Sequence, residues 1–515
     1  MIRFVNAAVY LVLIACLLTT SFNFFHPVTA PAAAFLSAAS VVSAVYLSKR
    51  RPFRLFAMQP KRRPPFRTLL LLAIFATVWG LAVALRPTTG IDANVYHLPV
   101  ALFMNHSRWY PGVAFIASHY GKANGTAILA SLSTAFGRPG LENIPCVVVW
   151  YTYGAGMYAY LRRRNVGQTL AAGVVGTILL SPYLFYEAYN MGTDLPAVCF
   201  LTFGLLAFSE MLLGESVIFF AMAAVFKPLG IVALAFVGAY CILLLFGKKA
   251  VLRSLVDFRV LLALFTAVLI RIRVCLATGN PLYPFVIVAP FAWGLPASVQ
   301  AKIVAQIRSY SHVSRSLRAM PRFLLDFTLR PKAINSSPWF VPLFAACTAG
   351  WAWLRAKKEC KPRIAAHGVA VGLLCALLVV VWWVGSPIFR FIAGVLAFAV
   401  LIGTVAVAQQ GTPRIIRRLL YGAMLLTIAA FSFNAARRFW QIGIPLINAD
   451  GETFYAYVPF KPSCFTEHVT DDGFVYTRSC STWCYRSRPP CINTLTIGPE
   501  EDVISAFRRY NGLEP

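Results

Sequence analysis

The sequence predicts an all-α polytopic membrane protein, and three observations support that fold class. Hydrophobic residues make up 59% of the 515 positions and charged residues only 13%, which is more apolar surface than a soluble domain can bury. The mean hydropathy is +0.68. The apolar residues also form continuous blocks of roughly 18 to 22, the length of a membrane-crossing helix, without the alternation of a membrane β-barrel.

These blocks predict about 13 membrane-spanning helices. The stretch 217–246 counts as two helices because Lys227-Pro228 interrupts it, and proline tends to end or kink a helix. The first block has only a weak basic start at Arg3 and no clear cleavage site, so it is interpreted as a retained span. The predicted spans lie near residues 4–25, 29–48, 68–86, 143–161, 169–187, 194–212, 217–228, 229–246, 259–277, 337–354, 365–384, 388–409 and 418–436.

Basic clusters between the spans predict the orientation, because cytoplasmic loops are enriched in Lys and Arg. With these spans, all five clusters fall on one side, which predicts a cytoplasmic amino terminus and an extracytoplasmic carboxyl terminus in the plasma (inner) membrane. The charge of +29 therefore indicates a multi-pass protein in contact with membrane lipids, and not a nucleic-acid-binding protein. The clusters occupy residues 50–67, 162–164, 248–253, 357–363 and 414–418.

Three regions follow from this topology. Residues 1–67 form two spans and a basic cytoplasmic loop, residues 68–436 form the transmembrane body, and residues 437–515 form an extracytoplasmic tail. The body carries two long outer loops, 87–142 and 278–336. The second loop is basic, and two interpretations stay open. Long loops translocate regardless of charge, or this loop is a surface for anionic headgroups or phosphates.

The tail is polar and acidic and predicts a small disulfide-containing domain. Only two of its four cysteines are close in sequence, whereas zinc sites usually show two close pairs. Two disulfides are therefore predicted on the outer face, with their connectivity left open. The candidates are Cys464, Cys480, Cys484 and Cys491.

Acidic residues are scarce in the membrane body, since nine of the 18 acids lie after residue 445. Asp92 follows the third span at the membrane boundary, where partial desolvation suits a carboxylate to general-base catalysis. The alternative is a solvated residue or a helix cap. Glu187 and Asp194 lie in a short outer link, and Asp194 is also a candidate cap because a proline follows early in the helix. For His97, a structural role as a hydrogen-bonding residue is favoured over a catalytic role.

Candidate phosphate contacts lie further along the chain, at helix ends on the predicted outer side. Lys227 is an ionisable group in an apolar stretch, which suits a lipid-linked phosphate; the alternative is a side chain that snorkels to the interface. Arg390 stands at the outer start of a span, where a guanidinium suits bidentate phosphate binding. Arg271 and Arg273 approach the same surface before a tight turn at 278–284. Acids that face such cations suit deprotonation of an acceptor hydroxyl and retention of a leaving phosphate.

Five short motifs, in this order, resemble bacterial GT-C-type membrane glycosyltransferases over roughly residues 68–410. They are Asp-x-x-x-Tyr-His-Leu-Pro at 92–99, Asn-x-x-x-Asp-Leu-Pro at 190–196, Phe-Lys-Pro at 226–228, Thr-Gly-Asn-Pro-Leu-Tyr-Pro at 278–284 and Arg-Phe at 390–391. The resemblance implies a GT-C-like fold. It also implies an inverting hexosyl or pentosyl transfer from a polyprenyl-phosphate-sugar donor to a glycan, lipid or protein acceptor at the extracytoplasmic face.

The resemblance further assigns roles to residues of this chain. Asp92 matches the family's first-loop acid and would be the catalytic base. Tyr96 and His97 belong to the same motif and would contact substrate, while Lys227 and Arg390 would contact phosphate.

Metal dependence is not supported by the first outer loop. Many members of the resembled family carry paired acids there, but Asp92 is followed by Ala93. No metal or other cofactor is therefore predicted, with a divalent metal left open as the alternative, and Asp194 or Glu187 would supply the second carboxylate.

Two other function classes are weighed against the enzyme. Transporters commonly show internal symmetry and broken helices near the midplane. No repeat is visible here and the polar groups gather outside, which disfavours a transporter or flippase of envelope lipids or glycans. A non-catalytic component of an envelope assembly, with the tail as its binding module, is the third hypothesis.

Overall fold

The computed structural model shows a mostly α-helical chain with short strands near the carboxyl terminus. The structure describes residues 1–57, 93, 97–116, 118–137, 141–245, 254–284, 291, 293–309, 362–385, 389–408, 422, 445–447, 453–455, 465–470, 475–479, 491–492 and 500–511.

Within these residues most α-helices follow the apolar blocks of the sequence, and four lie in the predicted outer loops and tail. They are α1 (Ile2–Asn23), α2 (Ala30–Arg50), α3 (Leu98–His106), α4 (Gly125–Thr134), α5 (Ile144–Arg163), α6 (Gln168–Leu179), α7 (Pro182–Ala188), α8 (Asp194–Ser209), α9 (Leu213–Phe226), α10 (Leu229–Leu245), α11 (Phe258–Thr278), α12 (Ala297–Ser309), α13 (Pro362–Gly385), α14 (Phe389–Ala408) and α15 (Glu500–Asn511). The strands are β1 (Pro445–Ile447), β2 (Thr453–Tyr455), β3 (Phe465–Val469), β4 (Val475–Ser479) and β5 (Cys491–Ile492). β1 pairs antiparallel with β2, β3 antiparallel with β4, and β4 parallel with β5.

Four helices in the described part of the chain are long and apolar enough to cross a membrane. They are Ile2–Asn23, Ala30–Arg50, Phe258–Thr278 and the segment Ala366–Val384 of α13. Six shorter apolar helices accompany them. The predicted helical membrane class is thus confirmed, whereas the count of about 13 spans is not. The predicted spans 68–86, 337–354 and, except for Gly422, 418–436 lie outside the described residues.

Exposed apolar side chains run along one face of the spanning helices. On α11, residues spaced by three or four positions are each roughly half exposed, which places them on a single helical stripe. A second stripe of the same spacing follows α13. Continuous exposed stripes of this length indicate that lipid covers them, because water would disfavour so large an apolar surface. The stripes comprise Phe258, Leu261, Phe265, Val268 and Ile272 on α11, and Val369, Leu373, Leu377, Val380 and Val384 on α13.

Two apolar stretches of the sequence are divided into separate helices. The stretch 217–246 divides where the sequence analysis places the break: α9 ends at Phe226 and α10 begins at Leu229. The predicted span 169–187 is not a single helix, which corrects that prediction. It divides into α6 and α7 around Ser181, because Pro182 begins a new helix where it has no N–H to continue the previous one.

One end of the helix bundle, the basic end, is tied together by a buried acid. Glu215 in the first turn of α9 accepts hydrogen bonds from the backbone N–H groups of Arg54 at 2.6 Å and Leu55 at 3.0 Å. Asn6 near the start of α1 accepts a further bond from Phe53 N–H at 3.1 Å. The short segment after α2 is therefore held against the starts of α1 and α9.

Ion pairs complete the basic end. Glu210 lies 3.7 Å from Arg163 and 3.3 Å from Arg164. Asp257 caps α11 and pairs with Arg259 at 2.9 Å. The hydrogen bond from Arg259 holds the pKa of the Asp257 carboxyl below its ordinary value. Arg163 and Arg259 also donate to backbone carbonyls of the segment after α2, so basic residues from three separate parts of the sequence share one end of the molecule.

The opposite end, the loop end, comprises the turn 24–29, the segment 107–125, the link 189–193 and the turn 278–284. Backbone bonds join these pieces. Trp109 N–H donates to Asn23 O at 2.8 Å, and Gly112 N–H donates to Leu276 O at 2.9 Å. The segments predicted to be outer therefore lie together at one end.

The carboxyl-terminal helix α15 also packs at the loop end. Val503, Ile504 and Phe507 are buried on one face of this helix, and Phe507 meets Phe103 of α3 edge-on with ring centroids 5.8 Å apart. The tail thus contacts the same end of the bundle as the long loops.

The predicted disulfides fall on the tail cysteines, whose side chains lie outside the described residues. Among the cysteines that the structure describes with side chains, none forms a disulfide: Cys16, Cys146, Cys199, Cys241, Cys275 and Cys375 are free. Disulfides between Cys464, Cys480, Cys484 and Cys491 remain a prediction.

The contacts of Glu215 predict a large effect on stability. We expect Glu215→Ala to lower the free energy of unfolding by about 2–4 kcal/mol, because two N–H groups lose their acceptor. Glu210→Ala is the matched control and should cost about 1 kcal/mol or less, since its arginine partners are partly exposed. Unfolding of the purified chain in mixed micelles by sodium dodecyl sulfate measures both. Equal losses in the two variants would contradict the anchoring role of Glu215.

Candidate functional site

An ion pair between Lys227 and Asp194 stands at the loop end of the hairpin formed by α8 and α9. Lys227 Nζ lies 2.9 Å from Asp194 Oδ1, and the side chains are 24% and 4% exposed. α9 ends at Phe226, and Lys227 already has an extended backbone before Pro228. Because α8 and α9 run antiparallel, the start of α8 meets the end of α9. The structure thus joins two residues that the sequence selects for separate reasons.

The pair changes the interpretation of Asp194. Asp194 is a candidate helix cap by its sequence, but the cap position of α8 is Thr193, and Asp194 is the first helical residue. A carboxylate in the first turn still suits the positive end of the helix dipole. Its Oδ1 is directed to Lys227.

Glu187 and Asn143 position the backbone before Asp194. Glu187 is 5% exposed, and its Oε2 accepts a hydrogen bond from Asp194 N–H at 3.4 Å. Met191 takes a left-handed φ of 51°, and its N–H donates to Asn143 Oδ1 at 3.1 Å. The link between α7 and α8 is therefore held by side chains from two different elements, which sets where α8 begins.

Gly192 in this link allows a close approach that no other residue permits. A Cβ at this position would overlap the carboxyl group of Glu187. We expect Gly192→Ala to destabilise the protein by about 1–3 kcal/mol, because either Glu187 or the link must move. Thermal unfolding in detergent measures this loss.

Gly238→Ala is the control, since a Cβ there meets nothing within 4 Å. It should be neutral or slightly stabilising because alanine favours helix. A Gly192→Ala variant as stable as Gly238→Ala would show that the close approach has no structural importance.

His97 is fixed next to the end of α9. Its Nδ1 lies 2.9 Å from Asn124 Oδ1, an oxygen that also accepts from Ala127 N–H and so caps α4. His97 is 2% exposed. Gly125 packs against Phe226, the residue before Lys227. The geometry fits the structural interpretation of His97, and it brings the first outer loop to the ion pair.

Arg271 lies beside the last turn of α9. Its Nη2 donates to Ala224 O at 2.7 Å, three residues before Lys227. Its Nε and Nη1 are buried and have no hydrogen-bond partner among the described residues. Asp194, Lys227 and Arg271 are hereafter the charged cluster. Lys227 and Asp194 form the ion pair of this cluster, and Arg271 contacts the last turn of the same helix.

Arg273 is directed elsewhere. Its guanidinium lies 3.5 Å from the centroid of the Trp109 ring, and Trp109 Nε1 donates to Arg273 O at 3.1 Å. Residues two apart on an α-helix point in directions about 200° apart. Arg271 and Arg273 therefore approach the loop end from opposite faces of α11, and not as one group.

The turn after α11 is tight, as predicted. Gly279 takes a left-handed φ of 72°, and Asn280 N–H donates to Thr278 Oγ1 at 3.1 Å. Asn280 Nδ2 donates to Gln300 Oε1 at 2.9 Å. These bonds tie the turn to α12.

Three predicted site residues are not placed by the structure. Asp92 and Tyr96 lie outside the described residues. Arg390 is the second residue of α14, but the described part of the chain does not include its side chain. Their roles stay as predicted from the sequence.

Several residues that shape this site are not recognisable from the sequence. Asn143, Asn124 and Trp109 act through contacts with residues far away in the chain. A lone asparagine or tryptophan in a predicted loop carries no local signal of such contacts. Gly192 has a weak signal, because it lies between two candidate acids.

The charged cluster can hold an anionic group more readily than a metal. Over the described residues, no group of three or more His, Cys, Asp and Glu side chains is arranged to hold a metal ion. Lys227 and Arg271 carry N–H donors of the kind that bind phosphate, and Nε and Nη1 of Arg271 have no partner among the described residues.

These features define a helical membrane protein with a charged cluster at the loop end of its bundle. A protein-family model matches residues 3–397, and the chain belongs to that family, which is described as a domain of unknown function, DUF8201. Searches of curated proteins and of solved structures gave no match. The chain after residue 397, including the tail and α15, lies outside the matched region.

Proposed function

We propose that the protein is an integral membrane glycosyltransferase of GT-C type. It transfers a sugar from a polyprenyl-phosphate-linked donor to an acceptor hydroxyl at the extracytoplasmic face. The observation that supports this proposal best is the charged cluster, in which Lys227 pairs with Asp194 at 2.9 Å and Arg271 lies beside the same helix end. A leaving phosphate develops negative charge, and cations positioned in a water-poor site stabilise such charge strongly.

The proposed reaction forms a bond between the acceptor oxygen and the sugar anomeric carbon. It breaks the bond between that carbon and the phosphate oxygen, and the electron pair leaves with the polyprenyl phosphate. Asp92 takes the hydroxyl proton by its match to the first-loop acid. Lys227, Arg271 and Arg390 hold the leaving phosphate, and Asp194 and Glu187 position Lys227 and the backbone around it.

The proposal includes the finer topology. About 13 spans carry the chain, with a cytoplasmic amino terminus and an extracytoplasmic tail in the plasma membrane. The tail, residues 437–515, carries disulfides between its cysteines. The segregation of basic residues to one end of the bundle and of loops to the other supports this arrangement.

Sugar transfer in membranes tests the proposal. Membranes with the full chain are incubated with a panel of radiolabelled polyprenyl-phosphate sugars, and label in glycan, lipid and protein fractions is measured. At least one donor should give transfer that is absent without the chain. Asp92→Asn should abolish most of it, while Asp257→Asn, a change at the basic end, should retain it.

Two outcomes would replace the proposal. Movement of labelled lipid across vesicles without sugar transfer would indicate a transporter or flippase. Envelope defects that depend on the chain but survive Asp92→Asn and Asp194→Asn together would indicate a non-catalytic assembly component.

A further inference from the structure

Arg273 is a buried cation without a counter-charge in the described part of the chain. It is 5% exposed, and neither Nη1 nor Nη2 has a hydrogen-bond partner among the described residues. It forms no ion pair with any carboxylate of the described chain. Burial of an unpaired guanidinium is strongly unfavourable, so buried charges are normally paired or bind a ligand.

Trp109 holds this guanidinium in place. The cation lies over the ring at 3.5 Å from the centroid, an attraction that offsets part of the burial penalty. Trp109 is itself fixed at both ends, because its Nε1 donates to Arg273 O and its backbone N–H donates to Asn23 O. Helices α1 and α11 and the segment after α3 thus build one platform.

The platform orients the guanidinium without consuming its donors. Stacking uses the face of the guanidinium plane, whereas hydrogen bonds form in that plane. The two Nη groups are therefore left for an oxyanion, and a phosphate matches the spacing of such a pair of donors.

The platform is separate from the charged cluster. Arg271 reaches the last turn of α9 through Ala224 O, whereas Arg273 points about 200° away around α11. One phosphate held by Lys227 and Arg271 would not occupy both places. Arg271 and Arg273 therefore lie in two separate places at the loop end.

We infer that Arg273, stacked on Trp109, forms a second oxyanion-binding site that takes a phosphate group of the acceptor. The assignment to the acceptor rests on the proposed glycosyltransferase function, in which the charged cluster takes the donor phosphate. The binding of phosphate by Arg273 does not rest on that function.

Phosphate binding is tested first, independently of transfer. The purified full chain in phosphatidylcholine nanodiscs is titrated with inorganic phosphate at constant ionic strength, and thermal unfolding is followed. Phosphate should raise the unfolding temperature, and Arg273→Met should abolish the rise. Arg273→Lys should bind roughly tenfold more weakly or worse, because the planar pair of donors is lost.

Stability without phosphate distinguishes a ligand site from a structural residue. Arg273→Met should unfold at the same or a higher temperature than the wild type, since it removes an unpaired buried charge. A marked loss of stability would overturn the inference, because it would indicate that Arg273 is satisfied within the fold. Arg50→Met is the control: Arg50 also lies over a ring, that of Tyr46 at 5.9 Å, but it is exposed.

The source of the phosphate is tested by two further arms. Nanodiscs with phosphatidylglycerol provide a lipid headgroup. If they alone stabilise the wild type and soluble phosphate does not, the site takes a bilayer lipid and the acceptor assignment fails. In the transfer assay, wild type should prefer a phosphorylated acceptor over its neutral counterpart, and Arg273→Met should lose that preference, measured as the ratio of the two transfer rates.

The two possible failures are distinguishable. Absence of transfer with every donor overturns the proposed function but leaves the phosphate titration intact. Transfer that shows no preference for phosphorylated acceptors, with no effect of phosphate on unfolding, overturns the second site alone.

Discussion

Replacement of Lys227 by methionine is expected to lower the free energy of unfolding by about 3 kcal/mol. The change leaves Asp194 charged in a site where only 4% of its side chain is exposed. Removal of one partner of a buried pair is costly because the remaining charge stays desolvated and loses its opposite charge. The quarter of the lysine that is exposed reduces the effect below that of a fully buried pair.

A double-mutant cycle isolates the pair. Asp194→Asn alone should cost less than Lys227→Met, because the free ammonium can reach solvent. The double variant should be more stable than the sum of the two losses predicts, by about 1 kcal/mol or more. Unfolding by sodium dodecyl sulfate in mixed micelles measures all three variants.

Lys49 supplies the control, since it is an exposed basic residue in the last turn of α2. Lys49→Met should change stability little. If Lys227→Met lowered the free energy of unfolding no more than Lys49→Met, the ion pair would not contribute to stability.

The second large effect separates the roles of the acids in the proposed transfer. Asp92→Asn is expected to lower kcat by ~10²–10⁴-fold with little change in the KM for donor, because it removes a general base. Asp194→Asn should act mainly on the donor KM. A carboxylate paired with an ammonium is a poor base, since proton uptake breaks the pair, and its loss leaves Lys227 less well placed for the phosphate.

Steady-state transfer at varied donor concentration measures this division. Glu187→Gln is the companion variant, because an amide oxygen can still accept the bond from Asp194 N–H. It should retain most of the activity. A fall in kcat for Asp194→Asn as large as that for Asp92→Asn would instead make Asp194 the base.

Particular residues show which features of the fold are predictable from local sequence patterns. The break at Lys227-Pro228 is predicted from proline chemistry alone, and α9 and α10 confirm it. The interruption at Pro182 follows from the same chemistry. It was not predicted, because the apolar block 169–187 is long enough to span the membrane as one helix. Asp194 and Lys227 were selected as scarce charges in apolar surroundings, yet nothing in their spacing of 33 positions indicates that they touch.

The sequence by itself determined that this is a helical membrane protein and which charges are unusual in it. Apolar block length and charge scarcity are local properties, and the bilayer imposes them directly on the chain. Tertiary structure decided which of those charges meet. The hairpin of α8 and α9 joined Asp194 to Lys227, and opposite faces of α11 directed Arg271 to Ala224 and Arg273 to Trp109. Such meetings depend on the packing of distant helices, which no single stretch of sequence specifies.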